Sequence, residues 1–148
     1  MLILKSDINL IHRFDAKADA WTLASGVTGT FVEIANTESG DGLTKPTAGN
    51  FAVAIWSESN RDGSPGWSPD IAATGNLTYL YGKYRAVTDQ IESGDNPIPG
   101  TPLYVSANGK LTTTSTGNKV VVAICTKAKH TCKYLSTPYQ NCIEFVTI

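Results

Sequence analysis

The chain has 148 residues, which is the size of one ordinary domain. It carries 12 basic and 13 acidic side chains, so it has no basic excess to bind phosphate backbones, and nucleic acid is not an expected partner. With 41% hydrophobic and 17% charged residues, the composition is that of a globular chain and excludes a disordered one.

Residues 1–20 have a mixed pattern. Leu4, Ile8 and Ile11 fit one face of a helix, whereas Leu2 and Leu4 also fit the alternation of a strand. The apolar run at the start is too short for a signal-peptide core, and no stretch reaches the ~20 residues that span a bilayer. We therefore expect a chain made in a cytoplasm, with no membrane partner, whose residues 1–20 form an extended or helical arm that packs on a neighbour.

Residues 21–148 are expected to form a β domain. Residues 30–34 and 51–56 alternate as strands do, with a turn-rich segment between them. Residues 57–75 form a long loop rich in glycine and proline, and loops of this length are frequently functional or interfacial. A soft boundary falls at 93–100, but the part after it is too small for an independent fold.

The second half of the chain continues the β pattern. Residues 77–87 are rich in aromatics, as strands are, and Gly82 in their middle predicts a bulge or a bend. Two strand-like runs flank Asn108–Gly109, which predicts a hairpin with a type I′ turn. Residues 120–126 and 142–148 are also strand-like. Without a convincing helical window, the pattern predicts an all-β fold, namely a small antiparallel β-barrel or β-sandwich with long turn-rich loops.

Three cysteines lie in the last quarter of the chain, at Cys125, Cys132 and Cys142. An odd count in a chain made in a cytoplasm favours free, buried thiols. His130 would complete a set of four ligands for a structural zinc ion, but the spacing matches no familiar zinc pattern. We therefore expect packing thiols and no bound metal.

Catalytic motifs are missing from the sequence. It has no Gly-x-Ser-x-Gly elbow, no His-Glu-x-x-His pair and no phosphate-binding Gly-x-x-x-x-Gly-Lys loop. The acids of residues 38–70 offer a carboxylate pair, and residues 60–71 partly match a calcium loop. Solvated turn acids and an Asx-turn explain both features, so we expect no catalytic residue, no cofactor and no enzyme.

Aromatic and apolar side chains are the remaining candidates. Trp56 and Trp67, with tyrosines 79, 81 and 84, fit either a platform on which a sugar stacks or a set of core and subunit-interface anchors, and the second interpretation is favoured. The expected contacts with neighbouring molecules are apolar residues of the arm and two tryptophans: Leu2, Leu4, Ile8, Ile11, Phe14, Trp56 and Trp67.

The C-terminal third has a recognisable order of short motifs. They are Gly94-Asp95, Leu103-Tyr104-Val105, Asn108-Gly109-Lys110-Leu111-Thr112, Val121-Val122-Ala123-Ile124-Cys125 and Ile143-Glu144-Phe145-Val146. This order resembles that of small β-domains in structural proteins of tailed bacteriophages, above all capsid decoration (cement) proteins and head-fibre-base proteins. The resemblance covers residues 94–148, whereas residues 1–93 share only turn-rich stretches. It brings no catalytic residues with it.

The resemblance implies a mechanical role on the surface of a virion. Such a protein is made in the cytoplasm of the bacterial host, forms a homo-oligomer that is commonly a trimer, and bridges neighbouring subunits of the major capsid protein. The arm of residues 1–20 or the long loops would then supply the contact surfaces. The alternative is a carbohydrate- or receptor-binding module of a phage tail or fibre, and a small β-barrel enzyme is a third.

Overall fold

The computed structural model describes residues 1–5, 12–37, 40–47, 52–56, 75–117 and 120–148. Within these ranges the chain forms one short helix, α1 (Ala20–Ser25), and eleven strands. The strands are β1 (Leu2–Leu4), β2 (His12–Ala18), β3 (Phe31–Thr37), β4 (Gly40–Thr44), β5 (Ala52–Ile55), β6 (Asn76–Tyr81), β7 (Arg85–Thr88), β8 (Pro102–Val105), β9 (Leu111–Thr112), β10 (Ala123–Tyr134) and β11 (Thr137–Thr147).

Five strands close into a barrel in the order β2-β4-β3-β5-β6. Strand β2 runs antiparallel to β6, from the pair His12↔Tyr81 to the pair Lys17↔Asn76. The same strand runs parallel to β4 at Ala18↔Leu43, and this contact closes the ring. The prediction of an all-β fold with a barrel is therefore confirmed.

The other six strands form an antiparallel sheet in the order β1-β7-β11-β10-β8-β9. Strand β7 lies between the two ends of the chain, since Thr88 pairs with Leu2 on one side and with Ile143 on the other. In the interval 1–20, for which the sequence predicts an arm, β1 pairs within this sheet and β2 pairs within the barrel. Residues 6–11 lie outside the described residues.

Strand β3 of the barrel is buried on both faces at its first residues. In β3, Val32 belongs to a cluster with members from all five barrel strands, which places it in the barrel interior. The preceding residue, Phe31, belongs to a second cluster shared with the sheet, and its ring lies 6.0 Å from that of Phe145. Because neighbouring strand residues face opposite sides, the barrel wall packs inward on itself and outward on the sheet.

Helix α1 begins at a capped position that the sequence analysis overlooked. Asp19 Oδ1 accepts a hydrogen bond of 2.7 Å from the backbone N–H of Thr22. Asp19 Oδ2 accepts another of 3.1 Å from the backbone N–H of Lys45, on the loop after β4. Burial by itself would raise the pKa of Asp19, but the hydrogen bonds from Thr22 and Lys45 outweigh it and lower the pKa. At six residues, α1 is too short for a 3.6-residue period to appear.

Three predictions concern turns, of which two are confirmed and one is wrong. The bend at Gly82 is confirmed: its φ is +120°, β6 ends at Tyr81, and the chain leaves the barrel for the sheet there. The hairpin of β8 and β9 is also confirmed, since Val105 pairs with Leu111. Its predicted type I′ turn is wrong, because that turn needs positive φ at both Asn108 and Gly109, and only Gly109 has it, at +71°.

The observed turn of this hairpin is one residue longer. Ser106 N–H donates to Lys110 O over 2.8 Å, and Gly109 N–H donates to Ser106 O over 3.0 Å. This is a three-residue loop with a left-handed glycine at its end. Gly109 is also in close contact with the barrel, because Phe31 N–H donates to its carbonyl and an added Cβ would lie 2.5 Å from Thr30 Cγ2.

Candidate interaction site

The seven contact residues expected from the sequence have different positions in the structure. Leu2 is buried in the core cluster shared by sheet and barrel, and Leu4 is partly buried against it. Trp56 also packs on this cluster, and its backbone N–H donates to the carbonyl of Thr78. Phe14 is 47% exposed. The other three lie outside the described residues: Ile8, Ile11 and Trp67.

The cysteine prediction needs a correction. Cys132 and Cys142 form a disulfide between β10 and β11, with their Cα atoms 6.2 Å apart, so the expectation of free thiols is wrong for these two. It is right for Cys125, which is free and buried. Burial raises the pKa of the Cys125 thiol, which donates a hydrogen bond to the carbonyl of Lys127. The pairing depends on the hairpin register, which the cysteine spacing alone does not reveal.

The zinc hypothesis had depended on the same residues. The sulfur atoms of Cys132 and Cys142 are bonded to each other, and His130 Nδ1 lies 2.9 Å from the carbonyl oxygen of Ala128. Across the described part of the chain, no group of three or more His, Cys, Asp or Glu side chains is placed to hold a metal ion. The acids of residues 57–74 and the partial calcium loop lie outside it.

The hairpin of β10 and β11 extends past the sheet. Strand β10 pairs with β8 only at Ala123 and Ile124, and β11 pairs with β7 only from Ile143 to Val146. Among the described strands, residues 126–142 therefore pair only with one another, and we call them the projecting hairpin. Its outer part is largely exposed.

The tip of the projecting hairpin has an unusual turn. Leu135 and Ser136 join Tyr134 to its partner Thr137, and both have positive φ, at +48° and +73°. Two-residue turns of this kind favour Asn and Gly, because other side chains are strained there. Leu135 is nevertheless 82% exposed, and Tyr134 beside it is exposed too.

Two side chains along the projecting hairpin contact other parts of the chain. Lys129 Nζ donates to the carbonyl of Ser93 over 3.2 Å, and Cys132 Sγ lies 3.9 Å from Met1 Sδ. The disulfide adds a covalent link between the two strands. The tip is therefore held out on a braced stem.

A second exposed group of side chains lies on the barrel. The Phe14 ring lies 5.7 Å from the Tyr79 ring in a stacked arrangement and 6.4 Å from the Tyr81 ring edge-on. Phe14 and Tyr81 are both nearly half exposed. Of the other aromatics considered, Tyr84 is a core residue, and burial raises the pKa of its hydroxyl.

Tyr81 also borders a groove of about 380 Å³ between the barrel and the sheet. Val120 and Ile148 lie at this groove with much of their surface exposed, while Leu80 and Val122 contribute buried or partly buried apolar surface. The groove lies at the base of the β10–β11 hairpin, where Ile148 N–H donates to Val122 O over 3.3 Å.

Sequence reasoning missed the tip and the groove for different reasons. Residues 127–134 are too polar to be recognised as a strand, and the tip contains no Gly or Asn to mark a turn. The groove forms only when distant strands assemble.

Comparison of the chain with protein-family models, with curated proteins and with solved structures found no match. Within the described ranges, no helix is long and apolar enough to cross a membrane.

Proposed function

We propose that this chain is a structural protein of a phage virion, a capsid decoration protein that bridges neighbouring subunits of the major capsid protein as a homotrimer. The observation that carries the proposal is the projecting hairpin, which ends in the exposed apolar residues Tyr134 and Leu135. This hairpin falls within residues 94–148, the part of the sequence that resembles such proteins.

A protein that bridges neighbouring subunits has to be rigid. A decoration protein has to hold its contact surfaces at fixed positions, because it stabilises a shell only if each contact is made without a large ordering cost. Here a barrel and a sheet share one core cluster, and the hairpin that leaves them is braced by a disulfide. Apolar area that such a hairpin buries on a neighbouring subunit of the assembly would contribute roughly 25 cal/mol per Å² before the costs of association.

The test uses particles from a host that makes this protein. Virus-sized particles are banded on a density gradient and probed with an antibody against the chain. We expect the protein to band with the particles, and particles that lack it to open at a lower temperature. Protein that stays at the top of the gradient, or particles equally heat-stable without it, would contradict the proposal.

A carbohydrate- or receptor-binding module of a tail or fibre is the second candidate, and the exposed rings of Phe14 and Tyr81, with Tyr79 stacked beside Phe14, favour it. Aromatic faces of this kind stack on sugar rings. The test is a glycan array with wild type, Tyr81→Ala and the control Ile98→Ala, which removes an exposed apolar side chain elsewhere. Glycan binding that is lost only in Tyr81→Ala would support this function. An array on which the wild type binds no glycan would contradict it.

A further inference from the structure

Leu135 at the hairpin tip has a strained backbone, and burial within its own chain does little to offset that strain. A left-handed backbone costs a residue other than glycine about 1–2 kcal/mol, and Leu135 recovers none of this by burial because it is 82% exposed. Backbone strain that persists in a folded protein is typical of functional sites, and Leu135 stands next to a second exposed apolar residue, Tyr134. Leu135 is therefore suited to be a contact residue.

The same chain also offers a place for an apolar side chain. The groove between barrel and sheet has about 380 Å³ of space, and most of its lining is apolar. Val120 and Ile148 leave apolar surface exposed at this groove, and Tyr81 lies at it beside the aromatic group. A leucine and part of a tyrosine ring would cover this surface.

The tip of a given chain cannot reach the groove of that chain. The groove lies at residues 120–122, directly before β10 begins. The tip lies at the other end of this 12-residue strand. At ~3.3 Å per residue, the two ends of β10 are roughly 35 Å apart. Strand β10 stays paired with β11 out to Tyr134 and Thr137, so the tip lies at the end of the hairpin away from the groove. Only a second molecule can bring a tip to this groove.

The charge distribution favours a second copy as that molecule. Residues 126–142 contain three lysines, Lys127, Lys129 and Lys133, and no acid. The whole chain has a net charge of −1, so the remainder has −1 minus +3, or −4. A basic hairpin approaching the acidic remainder of another copy is attracted at long range. Lys83 is the charged residue at the groove, so this attraction comes from the remainder as a whole.

We propose that copies of this chain assemble head to tail, with Tyr134 and Leu135 of one copy seated in the groove of the next. The inference rests on the proposed function, whose homo-oligomer it supplies with an interface. The tip and the groove are different surfaces, so the contact is heterologous, and repeating it closes a ring when the rotation between copies allows. The homotrimer would be a ring of three such contacts.

The first experiment measures mass in solution by sedimentation equilibrium of the purified chain. Wild type is compared with Leu135→Asp and with Ile98→Asp, which places the same charge at another exposed apolar residue. We expect wild type and Ile98→Asp to associate alike, and Leu135→Asp to associate at least tenfold more weakly. A monomeric wild type, or an equal effect of both variants, would overturn the proposal.

The second experiment tests which surfaces meet. Val120→Asp removes the groove contact but keeps the tip, whereas Leu135→Asp removes the tip but keeps the groove. Both residues are exposed, so both variants are expected to fold, and circular dichroism checks this. Each variant alone should be monomeric, and an equal mixture should form a heterodimer with one restored contact. A mixture that stays monomeric would contradict the head-to-tail arrangement.

The two levels of the proposal can fail separately. If the mixture forms the heterodimer but the chain does not band with virus-sized particles, the interface stands and the virion function falls. If the chain bands with particles but the purified wild type is monomeric, the function stands and this interface falls.

Discussion

In the barrel wall, Phe31 and Val32 are neighbours in the sequence, and both are buried. At the hairpin tip, Tyr134 and Leu135 are also neighbours, and both are exposed. Both pairs are apolar, so composition does not separate them. The difference is that the barrel wall at Phe31 and Val32 has a core on each side, whereas the projecting hairpin, among the described strands, pairs only with itself. Burial therefore stabilises the barrel and sheet, and local links stabilise the hairpin.

The largest expected effect comes from the core shared by barrel and sheet. The Phe145 ring lies 6.0 Å from that of Phe31 and 6.1 Å from that of Tyr84, and it is fully buried. Phe145→Ala should lower the free energy of unfolding by about 3–5 kcal/mol, measured by urea denaturation. The control, Tyr134→Ala, removes an exposed ring and should cost within about 0.5 kcal/mol. Similar losses in both variants would contradict the comparison.

The disulfide should stabilise the hairpin far more than the barrel. Cys132 and Cys142 are 10 residues apart, and a crosslink over such a loop contributes about 2–3 kcal/mol. In the double variant Cys132→Ser/Cys142→Ser, we expect faster amide hydrogen exchange at residues 126–142 and little change at residues 31–37, measured by mass spectrometry. An equal rise in both segments would show that the hairpin is not a separate unit.

Gly109 tests how the β8–β9 turn is joined to the barrel. Gly109→Ala adds a Cβ at φ +71° that meets Thr30 and Phe31, so it should cost about 2–3 kcal/mol in urea denaturation. The matched control is Gly100→Ala, with φ +92° and open space around its Cβ, which should cost only the ~1–2 kcal/mol of backbone strain. Equal costs would mean that the turn does not contact the barrel closely.

The smallest effect is expected at the cap of α1. Asp19→Ala removes the bond to Thr22 and should cost about 1 kcal/mol. Because the folded pKa of Asp19 is lowered, its contribution is complete above the unfolded pKa and is lost as the pH falls through the folded pKa. The cost of Asp19→Ala should therefore shrink in acid, as measured by urea denaturation at neutral pH and near pH 3. A cost that does not change with pH would show that the charged form is not the one that caps.

Local signals in the sequence were enough to predict most of the strands. Gly82 marked the passage from barrel to sheet, and Ile143 and Phe145 were correctly placed on one buried face. Closure of the barrel through Ala18 and Leu43 was not accessible, because it depends on a parallel contact between segments with no shared pattern. The disulfide was not predicted either, because it depends on the register of the β10–β11 hairpin. Some residues predicted as contact surfaces belong to the core, such as Leu2.

The central claim is that the hairpin tip is kept apolar and strained for contact with another molecule. The most direct measurement is sedimentation equilibrium of the double variant Leu135→Asn/Ser136→Gly, which gives the turn the residues that its backbone favours. We expect the variant to be monomeric at concentrations where wild type associates, with a urea midpoint equal to or above that of wild type. A variant that associates as wild type does would contradict the claim.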